Sequence, residues 1–144
     1  DQLAVELNID GEDWIADPGT GVYTAAPLTR DAYRSADAHF VPRGNEGKEG
    51  EPASLKLGLF RLEDRARAQC LAFSKDRFEG RHWGYGRPLH RRVEIGEGHI
   101  RITDGFADEA GTASTPVVFS DAAALRRHLG LVLAFSPGYG IFEN

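Results

Sequence analysis

The sequence predicts a mainly β fold, an antiparallel β-sandwich in a single domain over 1–144. Apolar residues recur two apart in several segments, the signature of strands with one buried face. Turn-forming Gly, Asp and Pro clusters separate these segments at intervals of about ten residues, the rhythm of sandwiches and barrels. The chain has 144 residues, 41% of them hydrophobic. That length suits one core burying roughly two-thirds of the unfolded surface.

Leu3, Val5, Leu7 and Ile9 alternate with Ala4, Glu6 and Asn8, and Asp10-Gly11 follows as a type I′ hairpin signal. A two-residue loop there sets Leu7 opposite Trp14 and Val5 opposite Ala16 on one face, and it puts Asp17 on the other. Asp17-Pro18-Gly19-Thr20-Gly21 is loop chemistry, with Pro18 favouring an extended Asp17. Residues 25–52 read as polar and irregular, ending in the solvated loop Gly44 to Pro52. Strands resume with Leu55, Leu57 and Leu59, then with Ala66, Ala68, Cys70 and Ala72, where Cys70 reads as a small core residue. Leu89, Arg91, Val93 and Ile95 alternate against His90, Arg92 and Glu94. Gly96-Glu97-Gly98 turns that strand into Ile100 and Ile102, and 116–119 is a further strand. Ser120 or Asp121 before Ala122-Ala123-Ala124-Leu125 predicts one short helix near 121–128.

Lys and Arg number 17 against 22 acidic residues, a formal net charge of −5, so there is no basic excess to hold nucleic acid. No apolar run reaches the roughly 18 residues of a membrane span. One cysteine closes no intrachain disulfide and completes no cysteine-type zinc site. Gly84-Tyr85-Gly86 and Gly138-Tyr139-Gly140 lack the strand-to-helix setting of a dinucleotide site and read as turns carrying a packed tyrosine. Of the five histidines, His82 beside Trp83 reads as a partly buried structural residue, and His39 taken alone is unremarkable.

Between residues 23 and 43, aromatic and basic side chains gather: Tyr23, Arg30, Tyr33, Arg34 and Arg43. Aromatic faces suit sugar rings, and guanidinium forks suit carboxylates. The same charges equally read as a loop pinned by ion pairs to Asp31 and Asp37.

Several motifs occur in order: 1–7, Gly11, Trp14-Ile15-Ala16-Asp17-Pro18-Gly19-Thr20, Tyr23, Arg30, Tyr33-Arg34-Ser35 and Ala38-His39. Together they resemble the C-terminal β region of heparinase II/III-like polysaccharide lyases. The likeness continues more loosely through Arg91-Arg92, 100–104 and 135–140. It implies a sandwich that follows an N-terminal α/α toroid and works with it. The implied activity is β-elimination on uronate-containing glycans, with acidic polysaccharide as substrate partner. In the family, Asp1 matches the last residue of a His-x-His-x-Asp motif. The chain is therefore expected to be a segment of a longer one, with the catalytic groups outside it, and inactive alone.

The resemblance further implies zinc, with Asp17 and His39 as ligands beside one upstream histidine. Tyr23, Tyr33 and Arg34 are then the expected substrate-binding residues. Phe40-Val41-Pro42-Arg43 departs from the Asn-Thr that many members place after Ala-His, which leaves the glycan open. The family resemblance fits a periplasmic or cytoplasmic bacterial setting. The competing expectation is a non-catalytic carbohydrate-binding or assembly module.

Overall fold

Asp10 and Gly11 both take positive φ, 53° and 87°, which are the angles of the expected type I′ turn. A computed structural model of the protein describes residues 2–43, 53–54, 58–61, 63–106, 117–119, 135–138 and 141–143. The turn joins β1 (Leu7–Ile9) to β2 (Glu12–Ile15), with Ile9 opposite Glu12 and Asn8 opposite Asp13. The register then shifts, and Leu7 faces Ile15 instead of the expected Trp14. This bulge adds one residue to β2 and reverses the parity beyond it. Ile15 is thereby buried, Ala16 is exposed, and Asp17 shares the parity of Ile15, not of the outer face.

The expected strand from Leu3 is also shorter, because Leu3 adopts φ 59°. A bulky residue in the left-handed region is held there by its surroundings. Here the Leu3 carbonyl accepts from Arg91, and the Leu3 side chain lies against Gly80, where an added Cβ would stand 2.6 Å from Leu3 Cδ2.

Residues 27–34 form a helix, α1 (Pro27–Arg34), in the stretch expected to be irregular. Proline at the first position suits a helix start, yet the apolar pattern is too thin to announce it. Tyr33 alone is buried along α1, so tertiary packing decides this helix rather than propensity. A 3-10 turn (Ala36–Ala38) follows and leads directly into His39.

A short pair, β3 (Ala53–Ser54) and β4 (Glu63–Asp64), precedes the main sheet. That sheet contains β5 (Gln69–Phe73), β6 (Arg77–His82), β7 (Leu89–Gly96), β8 (His99–Phe106) and β9 (Val117–Phe119), in that order and antiparallel throughout. β10 (Phe135–Gly138) and β11 (Ile141–Glu143) make a last hairpin. The β1–β2 hairpin packs on one face of the five-stranded sheet. Ile15 meets Ile100 and Ile102 there, with Leu7, Ile9, Trp14, Phe40 and Val93 around them. Full burial of a side chain such as Ile15 contributes about 1.5–3 kcal/mol. The fold is mainly antiparallel β with one short helix, as expected, but the described helix is 27–34. The stretch expected to be helical, 121–128, lies outside the described residues, as do 44–52 and 55–57.

Cys70 is exposed, not in the core. β5 is an edge strand with a register shift between Cys70 and Ala72, so little covers it, and Phe73 is 82% exposed. Tyr85 does pack in its turn, its ring 5.7 Å from His82 and 6.3 Å from Phe106.

Candidate metal and glycan site

The loop after β2 is fixed by two glycines that no other residue would replace easily. Gly19 has φ 82°, and an added Cβ would lie 2.2 Å from the Ser136 carbonyl oxygen. The Ser136 N–H donates to the Pro18 carbonyl at 2.8 Å, so β10 clamps this loop. Gly21 has φ 67° and admits the ring of Tyr33, which would stand 2.9 Å from an added Cβ. The Gly19 N–H donates to Asp17 Oδ1 at 2.7 Å. One carboxylate oxygen thus orients the side chain, and Oδ2 is turned elsewhere.

Oδ2 lies 3.0 Å from Nδ1 of His39. The His39 side chain is 6% exposed and that of Asp17 40%, so the pair joins a buried ring to a carboxylate that reaches the surface. The other ring nitrogen, Nε2, is 3.0 Å from the Tyr33 carbonyl. A carbonyl only accepts, so Nε2 is the donor in this contact, and Nδ1 is the ring nitrogen that faces the Asp17 carboxylate. A backbone acceptor fixes metal-binding histidines in this way.

Arg91 secures the chain on the far side of His39. Its Nη1 donates to the carbonyls of Phe40 at 2.5 Å and Leu3 at 3.0 Å. Nε and Nη2 grip Asp104 Oδ1 and Oδ2 at 2.8 and 2.7 Å. Arg91 is 2% exposed, and it stands on the apolar side of a period-2 pattern. A charge in line with Leu89, Val93 and Ile95 was the sequence signal for this role, and sequence reading passed over it.

The three expected sugar-binding residues have different surroundings. Tyr23 is 45% exposed, with Phe60 at 6.1 Å between ring centroids and the Arg30 guanidinium 5.5 Å from its ring. Tyr33 is buried and packs against Gly21, so its ring supports the loop. Arg34 donates to the Gly58 and Arg61 carbonyls at 2.6 and 2.7 Å and lies 3.7 Å from Asp31. It therefore holds the turn that carries Phe60, a residue no sequence signal singled out. Arg43 pairs with Asp37 at 2.8 Å, so both aspartates named for the ion-pair reading are engaged.

Elsewhere, His82 is fully buried, and burial followed by the Arg91 charge pushes its pKa down to about 4. Its Nδ1 accepts from the Gly84 N–H at 3.1 Å, which makes it a structural histidine. Among the described residues, no set of three or more His, Cys, Asp or Glu side chains converges as a metal centre. Nor is any helix there long and apolar enough to cross a membrane.

The Asp-Pro-Gly-Thr loop and the Ala-His turn thus meet through Asp17 and His39. The family model described as heparinase II/III-like, C-terminal, matches residues 1–135. The chain belongs to this polysaccharide lyase family and corresponds to its C-terminal domain. No curated protein and no solved structure matches it.

Proposed function

We propose that this chain serves the β-elimination of uronate-containing polysaccharide by contributing two zinc ligands, Asp17 and His39, and one wall of the substrate cleft. The observation that carries this reading is the 3.0 Å approach of His39 Nδ1 to Asp17 Oδ2. Two ligands on a tetrahedral zinc, each at about 2.0–2.2 Å, stand roughly 3.3–3.6 Å apart, so a small opening of this contact would admit the ion. The donor set also fits in kind, since zinc takes neutral imidazole and carboxylate, and the Nε2–H bond to Tyr33 leaves Nδ1 as the coordinating atom.

Bound there, zinc would supply positive charge and cross-link the loop after β2 to the turn after α1. The third ligand and the catalytic acid and base belong, in this reading, to segments preceding Asp1, together with an α/α toroid. The chain's own part is to hold and orient. Gly19 N–H aims the carboxylate, the Tyr33 carbonyl aims the imidazole, and Arg91 fixes the backbone at Phe40. Tyr23 offers the exposed aromatic face for a sugar ring, and Arg30 beside it offers the cation for a uronate.

Metal analysis of the longer protein beside its Asp17→Ala and His39→Ala variants tests the reading. Zinc near one equivalent in the parent and a large loss in both variants supports it. Equal metal content in all three overturns it. Elimination leaves an unsaturated uronate that absorbs in the near ultraviolet, which separates a lyase from a module that only binds sugar.

A further inference from the structure

The two sides of the five-stranded sheet differ in chemistry. Arg91 projects toward the side where Phe40 and the Asp17–His39 loops lie, and it is in register with Gly80. Arg81, the next residue along β6, therefore projects from the opposite side, as does its partner His90. On that side Arg77 and Arg92 share the single carboxylate of Glu79. Arg81 does not. Its Nε donates to the neutral Gln69 Oε1 at 3.1 Å, and its guanidinium stands 4.9 Å from the centroid of Trp83. Among the described residues it meets no carboxylate.

A second arginine converges on the same ring. Arg67 lies 5.9 Å from the Trp83 centroid and takes φ 44°, a left-handed conformation that a side chain of this type rarely adopts. The Trp83 backbone N–H donates to the Ala66 carbonyl at 2.7 Å, which docks the segment carrying Arg67 beside Trp83. Burial, and then the Arg81 charge, holds the pKa of His90 below the ordinary range. Two cations thus share one half-buried indole in a chain whose net charge is −5.

We propose that Arg67, Arg81 and Trp83 form a second binding site for an anionic sugar unit, on the side of the sheet away from Asp17 and His39. The choice of an acidic glycan as ligand rests on the proposed function; the site itself rests on this geometry. Planar guanidinium groups recognise carboxylate or sulfate through paired donors, and the indole supplies apolar surface to the ring that bears the anion. A polysaccharide chain held here meets the sheet on the face away from Asp17 and His39.

The test is affinity electrophoresis of the protein at its natural length through gels containing heparin, with dextran gels as the neutral comparison. The expected result is retention in heparin that weakens about 3- to 10-fold in the Arg67→Gln/Arg81→Gln double variant and in Trp83→Leu. Arg81→Lys keeps the charge but not the paired donors, so its retention should fall between those of the parent and the double variant, and far-ultraviolet circular dichroism matching the parent in every variant shows that the loss is not one of folding. Retention of the double variant equal to the parent would overturn the site. Equal retention of the parent by single-stranded DNA at matched charge would overturn the assignment to sugar. Elimination is followed separately in the near ultraviolet. Its absence from the parent, with the heparin effect intact, sinks the lyase reading and leaves this site standing.

Discussion

Arg91 and Asp104, opposite one another on β7 and β8, form a two-point ion pair, and the remaining guanidinium nitrogen holds the carbonyls of Leu3 and Phe40. The main sheet thus grips the first segment and the residue after His39 through one buried side chain. Such a group gives geometry more than net stability, because burying a charge costs nearly what the pairing returns.

Removing it is another matter. Arg91→Ala leaves Asp104 without its partner and two carbonyls without their donor. The expected cost is about 3 kcal/mol, read as a lower urea midpoint. Under the proposed function, metal content at Asp17 and His39 should fall with it, since the backbone beside His39 loses its anchor.

Acid should weaken the fold before its carboxylates titrate. The His82 pKa of about 4 in the folded chain lies below the ordinary 6.5, so the unfolded chain binds the proton more readily. Its stabilising contribution is complete above pH 6.5 and is lost as the pH falls toward 4. The loss approaches about 3 kcal/mol at the acid end. Denaturant midpoints at pH 4.5 and 7 should differ in the parent, and His82→Gln should narrow the difference.

Two glycine substitutions separate backbone strain from collision. Gly11→Ala meets open space and suffers only its positive φ, about 1 kcal/mol. Gly19→Ala suffers the same strain and also drives a Cβ into the Ser136 carbonyl, for a loss of about 2–3 kcal/mol or more. Thermal melts of the two variants side by side check the order.

Arg34 holds the turn at 58–61 through two backbone carbonyls. Arg34→Ala removes two charge-assisted hydrogen bonds, so amide exchange in that turn should quicken by about tenfold. Exchange in β7 and β8 should not change, which distinguishes a local release from global loosening.

Local chemistry made much of this protein legible in its sequence. Asp10-Gly11 specified its turn because only residues tolerant of positive φ fit there, and period-2 runs specified β7 and β8 because one face of each must leave water. The order of Asp17 and His39 among the motifs of a known family marked them as a pair. Tertiary structure alone decided what distant segments do to one another. The bulge at Trp14 changed the side on which Asp17 lies, since packing Ile15 against Ile100 and Ile102 outweighs regular pairing. Tyr33 turned a polar stretch into a helix by filling the space over Gly21. Arg91 drew Leu3, Phe40 and Asp104 to one point. Each of these is a contact between residues far apart along the chain, with an energy that no neighbouring residue encodes and that exists only after the chain has folded.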